Sequence, residues 1–383
     1  MSTSPHEHLQ VNQAALAAPQ QQIAGTEEVR DEYADVFAHM RITDEARARA
    51  RDVRGLWMTA NNTISHLSSH FVTEPGVDFR GAWIFQLQNL WHLFYVAGKH
   101  CSEEMMAPMV LLIIETSQRG LLERSQMGED GNARLEHAPV LVPVGNVVIQ
   151  QYVWQDLPLL VPDMTTYWIT DCAQMSRSQR TRISFFWASL VAASSSSWSY
   201  SLCRIALLVL RDTLEKERRL VRAGVDPVGE DSENRGRTVD MLTIADLMPA
   251  VNAWVVRAGG RLAQLCIAGD NNAAANWTMP LPEEISQLGP LAEAAGIQAA
   301  PGGFSSQRWL FWLRRLDEIG AESSAPTSPE NNYMMEMPSP FVQRVREEKN
   351  LARRVAHNMI YIASQSNSPM VHELMRVRRL PIS

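Results

Sequence analysis

The stretch from Gly303 to Leu316 constrains this chain more than any other, because its start and its buried face are both written locally. Gly302 and Gly303 break the preceding run. Ser305 suits an N-cap, since its hydroxyl can accept from a free amide of the first turn. Phe304 precedes that cap and Trp309 falls at the fourth helical position, the spacing of a hydrophobic staple. Trp309, Trp312, Leu313 and Leu316 recur at i, i+3, i+4 and i+7, a single apolar stripe. Arg308 and Arg315 are expected towards the other side. Two indoles on one face need a wide apolar partner, and other helices of the same chain are expected to supply it.

The same period runs through most of the sequence. Helices are expected from near Thr26, after Thr43-Asp44, over Phe79 to Lys99, and over Glu103 to Arg124. Trp83, Leu87, Leu90, Trp91 and Phe94 form an aromatic face on the third of these. Gly128 to Glu136 reads as a polar loop, and 140–148 as either a short hairpin or an extended crossing. Asp156 and Pro158 suit the start of a helix. Further helices are expected over Ser176 to Ala193, Ser197 to Arg222, Thr243 to Ile267 and Pro340 to Ser364. Arg211 with Glu215, and Asp212 with Lys216, are opposite charges four apart on a face expected to be exposed. Strand-like residues are few, so the fold class is all-α, a single compact or solenoid-like multi-helix stack with long exposed loops. Residues 1–26 read as a disordered tail and 27–320 as the helical domain. Residues 321–338 read as a flexible linker, and 339–383 as a C-terminal helical arm packed on the main domain. Gly224 to Asp240, with five acids and two arginines, reads as a loose surface loop.

Composition narrows the function classes. A net charge of −7 argues against a nucleic-acid binder working through a broad basic field. Cys101, Cys172, Cys203 and Cys266 are far apart and contain no CxxC, so neither a disulfide framework nor a zinc ribbon is expected. Buried free thiols in a reducing compartment fit better. Residues Met1 to Gln22 have no apolar leader-like run. Met105 to Ile114 is too short to span a bilayer, and Phe185 to Leu210 is interrupted by serines and Arg204. Cytoplasm or nucleus is the expected location, without a membrane span.

Catalytic patterns are scarce. His66 and His70 are four apart on a helix and would share a face, as a metal pair requires. No HExxH accompanies them, and the third ligand would have to be His92, His100 or Cys101. Two ordinary histidines are the expectation. Gly259-Gly260 lies in a helical pattern with no strand before it, so close helix packing is expected and not a dinucleotide fingerprint. Ser194 to Ser197 reads as a turn joining two helices. Arg177, Arg180 and Arg182 form one basic cluster, and Arg344, Arg346, Arg353 and Arg354, followed by Arg376, Arg378 and Arg379, make the C-terminal arm basic. Solvated faces are expected for both. No catalytic residue, metal ligand or cofactor site is assigned.

Trp154-x-Asp156-Leu157-Pro158 and Gly303-Phe304-Ser305-x-x-Arg308-Trp309-x-Phe311-Trp312 resemble motifs of a filamentous-fungal protein family, a domain of unknown function. The resemblance runs from Ala48 to Glu322 and takes in Leu247-x-Pro249-Ala250-x-x-x-Trp254. It implies a helical protein with no assigned activity. The expected role is interaction or scaffolding with an unidentified protein partner, leaning away from an enzyme. The rival reading is an enzyme or small-ligand binder with a Trp-, Arg- and His-lined pocket between helices.

Overall fold

A computed structural model of the chain describes residues 35–73, 80–127, 132–144, 147–222, 231–270, 283–298, 300, 302–321 and 340–365. The tail 1–26, nearly all of the linker 321–338 and the end of the arm, 366–383, lie outside the described residues. The fold is all-α, with two small hairpins. It divides into two compact units, Met1–Met164 and Thr165–Ser383. That boundary falls inside the span 27–320, which the sequence suggests is one domain.

The first unit opens with helix α1, covering 35–49. Thr43-Asp44 does not start a helix, as the sequence suggested. Thr43 Oγ1 bonds back to the His39 carbonyl (2.9 Å), and the helix runs through. The break comes at Arg51, in the left-handed region, and Asp52 receives the Gly55 amide (2.9 Å). There follow α2 (Val53–Thr73), α3 (Arg80–His100) and α4 (Glu103–Gln118). Trp83, Leu87, Leu90, Trp91 and Phe94 are buried on α3 as their spacing predicts.

The strands β1 (Glu123–Met127) and β2 (Ala133–His137) pair antiparallel, where the sequence suggested a helix end and a loop. Their segments, ERSQM and ARLEH, carry no apolar alternation, so nothing local announces them. What holds β1 is Arg124, whose guanidinium bonds Glu136 (2.7 Å) and covers the Phe71 ring. Of the two readings of 140–148, the hairpin holds: β3 (Pro139–Val144) pairs with β4 (Val147–Tyr152).

The Trp154–Pro158 motif is a turn, not a cap. Trp154, Leu157 and Leu159 all have positive φ. Asp156 accepts from the Tyr152 amide (2.8 Å) and closes the turn. The indoles anchor it, Trp91 Nε1 on the Pro158 carbonyl (2.7 Å) and Trp154 Nε1 on Ser68 Oγ (3.0 Å). These contacts hold three residues in a conformation that L-amino acids rarely adopt. Helix α5 (Leu160–Asp171) starts only after it.

The second unit is built from α6 (Arg177–Ala193), α7 (Ser197–Leu214), α8 (Ile244–Asp270), α9 (Glu283–Ser286), α10 (Pro290–Ala294), α11 (Ser306–Ala321) and α12 (Pro340–Gln365). Ser176 and Gln179 form a capping box at the start of α6. Helix α8 packs on α6, α7, α11 and α12. It takes α12 closely at Gly259, where any side chain would strike Ile362. Close helix packing is therefore what this glycine does. Ser194 to Ser197 joins α6 to α7, with Ser194 Oγ accepting the Ser196 amide (3.1 Å).

Two expectations fail here, one of exposure and one of looseness. Arg180 is 0% exposed, paired with Asp246 (3.1 Å) and bonded to the Cys172 and Met175 carbonyls. Arg346 and Arg354 are exposed, as expected, but other arginines of these clusters are engaged. Arg177 and Arg344 both meet the buried Glu348 (2.6 and 3.2 Å). In addition, 231–240 is exposed for the most part but is tied down. Asp231 bonds Ser178, Glu233 bonds Gln179, and buried Arg237 holds the Ala173, Met175 and Ser232 carbonyls. Among the described residues no helix is long and apolar enough to cross a membrane.

Candidate functional site

The opening stretch contains the most heavily bonded side chains of the second unit. Ser305 caps α11 as its position predicts, with Oγ accepting the Arg308 amide (3.1 Å). Trp309, Trp312, Leu313 and Leu316 are buried. Phe304 sets its ring edge-on against Trp312. Arg308 is the correction: it is 1% exposed and does not face water. Its Nε and Nη2 donate to the two oxygens of Glu215 (2.6 and 2.9 Å). Glu215 is 0% exposed and also accepts from Trp312 Nε1 (2.6 Å) and the Gly289 amide (2.6 Å).

Glu215 was expected on an exposed helix face beside Arg211. The helix stops at Leu214, eight residues before the expected Arg222, and Glu215 turns inward. Gly289 is required there, since a Cβ would strike Glu215. The remaining Arg308 donors meet the carbonyls of Ser286, Gln287 and Gly303. Four donors thus satisfy one carboxylate, and five acceptor oxygens one guanidinium. Such a closed set has no capacity left for a substrate, and its role is structural.

The first unit holds a half-open groove of about 370 Å³. Helix α1 contributes Phe37, Met40 and Asp44, α2 contributes Thr59, Asn62, Thr63 and His66, and α3 contributes Gln86, Asn89, Leu90 and Leu93. That size suits a small molecule, and an apolar floor with a few converging polar groups is the usual pattern of a ligand site. The side chains of Asn62 and Gln86 have no hydrogen-bond partner among the described residues. Asn89 is held by Arg41 Nε (3.0 Å). Burial raises the pKa of Asp44 against the pull of Arg47.

His66 lines this groove, and its ring lies edge-on to His70 at 5.2 Å. The other candidate ligands are engaged elsewhere. His100 faces Glu45 (3.5 Å), His92 lies against Tyr95, and Cys101 is buried. Among the described residues no three His, Cys, Asp or Glu side chains converge as a metal site. The four cysteines are buried and none forms a disulfide. Burial pushes the Cys172 and Cys203 thiols up to about 12, and Cys266 higher still, which makes poor nucleophiles of them.

Asp163, in the first turn of α5, was not read from the sequence. Burial pushes its carboxyl up to about 7 against the pull of Arg41, and its Oδ2 has no hydrogen-bond partner. The folded pKa is raised above the ordinary 3.8. Between about pH 4 and 7 the folded protein therefore holds a proton that the unfolded chain has released, and stability falls as pH rises through that window. Asp163→Asn is expected to be more stable than wild type at pH 8 by about 1–2 kcal/mol, the bare shift being discounted for partial exposure. Near pH 4 the two should match. Urea melts at both values check this, and an equal difference at the two would contradict the assignment.

The class this geometry defines is a predominantly helical protein with a ligand-sized groove among three helices of its first unit. The chain belongs to the family described as protein of unknown function (DUF3632), whose model matches residues 91–316. This is the kind of fungal family that the Trp154 and Gly303 motifs pointed to. A Penicillium oxalicum protein named oxopyrrolidines biosynthesis cluster protein G is 32% identical over 240 residues, which is 62% of this chain and 60% of that protein. The chain thus spans less than two thirds of that relative's length. No solved structure matches.

Proposed function

We propose that the protein is a non-catalytic binding protein of small-molecule biosynthesis, with the groove between α1, α2 and α3 as its ligand site. The observation that carries this is the pairing of an apolar floor, Phe37, Leu90 and Leu93, with the amides of Asn62 and Gln86, which have no hydrogen-bond partner among the described residues. A carboxamide both donates and accepts, so two of them over an apolar floor suit a neutral ligand that itself carries an amide. The name of the Penicillium relative supplies a class of such molecules, since an oxopyrrolidine is a cyclic amide. Four buried cysteines outside any disulfide support an intracellular setting.

Calorimetric titration with 2-pyrrolidinones bearing N-alkyl chains of increasing length tests the reading. Affinity should rise as the chain fills the floor, by about 0.8 kcal/mol per buried CH₂, or roughly fourfold. Asn62→Leu and Gln86→Leu should weaken binding about tenfold at an unchanged melting temperature, through lost hydrogen bonds. Absence of saturable binding across the series sinks the proposal. The interaction or scaffold role is the second reading, with a partner's helix in the same groove. It is favoured by Val36 and Met40, exposed one turn apart on α1.

A further inference from the structure

A second cleft, of about 580 Å³, lies wholly within the second unit. Its walls are the segment after α7 and the segment leading into α8. Four arginines line it: Arg218, Arg219, Arg222 and Arg237. They are held there by backbone. Arg218 Nε donates to the Asp212 carbonyl (2.5 Å), and its Nη1 to those of Val239 and Leu242 (2.7 and 2.8 Å). Arg222 Nη2 donates to the Met241 carbonyl (2.9 Å), and Arg237 holds three further carbonyls. The Ile244 amide donates to the Arg219 carbonyl (2.9 Å), which fixes that segment against the start of α8.

None of the four guanidiniums pairs with a carboxylate among the described residues. Carbonyls orient a guanidinium without neutralising it. Arg218 Nη2 is buried and has no hydrogen-bond partner. The Arg219 side chain is exposed and likewise has none. Asn234 accepts the Gly236 amide on Oδ1, which leaves its NH₂ free to donate into the cleft. Two acids, Glu217 and Asp240, also line the cleft; both are exposed, where solvent screens them. The local balance is therefore positive in a chain of net charge −7. Partly buried, pre-oriented guanidiniums without a counter-charge cost stability unless an anion completes them.

We propose that this cleft binds a small organic phosphate monoester. Donors from separate points on two segments surround one volume, which suits a tetrahedral oxyanion better than a planar carboxylate. Arginine forks match phosphate oxygens in pairs. The volume exceeds that of the phosphate itself and leaves room for an organic body. The site is separate from the amide-lined groove and shares no residue with it, so lactam binding and phosphate binding stand or fall independently.

The full chain is titrated with inorganic phosphate, with glycerol 3-phosphate and ribose 5-phosphate, and with acetate at matched ionic strength. The expected result is saturable binding of the esters, tighter than free phosphate, with none for acetate. Arg219→Ala should weaken ester binding at least about fivefold at an unchanged melting temperature, because its side chain supports no other contact. Arg218→Lys keeps the charge but loses the fork, and should weaken binding further; it also loosens three carbonyls, so its fold is checked by circular dichroism. Arg314→Ala, exposed on α11, should change nothing. Acetate binding as tightly as the esters, or an Arg219→Ala variant equal to wild type, overturns the proposal. Equal affinity for phosphate and both esters overturns the metabolite in favour of free phosphate.

Discussion

Glu215→Ala is expected to destabilise the second unit by about 3–5 kcal/mol, the usual cost of removing one partner from a buried ion pair. The reason is the set of groups it would orphan. Arg308, Trp312 Nε1 and the Gly289 amide all end on this one carboxylate, and none has water to turn to. Domain stabilities run to roughly 5–15 kcal/mol, so a large share would be lost. The midpoint should fall by roughly 6–20 °C in a unit of this size. Glu215→Leu combined with Arg308→Met should recover only part of the loss, because it removes the unpaired guanidinium but leaves Trp312 Nε1, the Gly289 amide and three carbonyls without their partners. A midpoint within 2 °C of wild type for Glu215→Ala would show that the pair is not an anchor.

Trp309→Ala and Trp312→Ala should each cost about 3–5 kcal/mol, from lost transfer energy and the cavity left behind. The structure separates the two under gentler change. Trp312 Nε1 donates to Glu215, whereas Trp309 Nε1 is buried with no hydrogen-bond partner. Trp309→Phe removes an unsatisfied donor and should be tolerated. Trp312→Phe takes a donor from a buried carboxylate and should cost on the order of 1–3 kcal/mol more. Ser305→Ala should cost about 1 kcal/mol through the lost cap. Thermal melts of the five variants give the ranking. If both alanine variants melted with wild type, the stripe would be a binding surface and not core.

Much of the fold was legible because helices announce themselves locally. The cap at Ser305, the stripe from Trp309 to Leu316 and the aromatic face of α3 each follow from spacings of three and four residues. The hairpin of β1 and β2 was not legible, since its polar strands carry no alternation and depend on Arg124 reaching Glu136 and the Phe71 ring. Of the residues lining the candidate ligand groove, the sequence marked only His66 as a possible site residue, and Asp44 and Leu90 only as structural ones. Nothing in the sequence marks the amides Asn62 and Gln86; three helices bring them to the groove that Leu90 and Leu93 also line.

Charge is where local reading failed. Arg180, Arg308 and Glu215 all sit at positions that look solvated, yet each is buried against a partner far along the chain; Glu215 and Arg308 are 93 residues apart. Periodicity decided which faces would be apolar, because burying them is worth energy wherever the partner comes from. It could not decide which charges would follow them inward. A buried charge is tolerable only beside its complement, and which complement lies beside it is set by the packing of helices distant in sequence. The sequence by itself determined a helical chain with a tryptophan-rich core. Only the tertiary structure decided which arginines serve that core and which are left facing an open cleft.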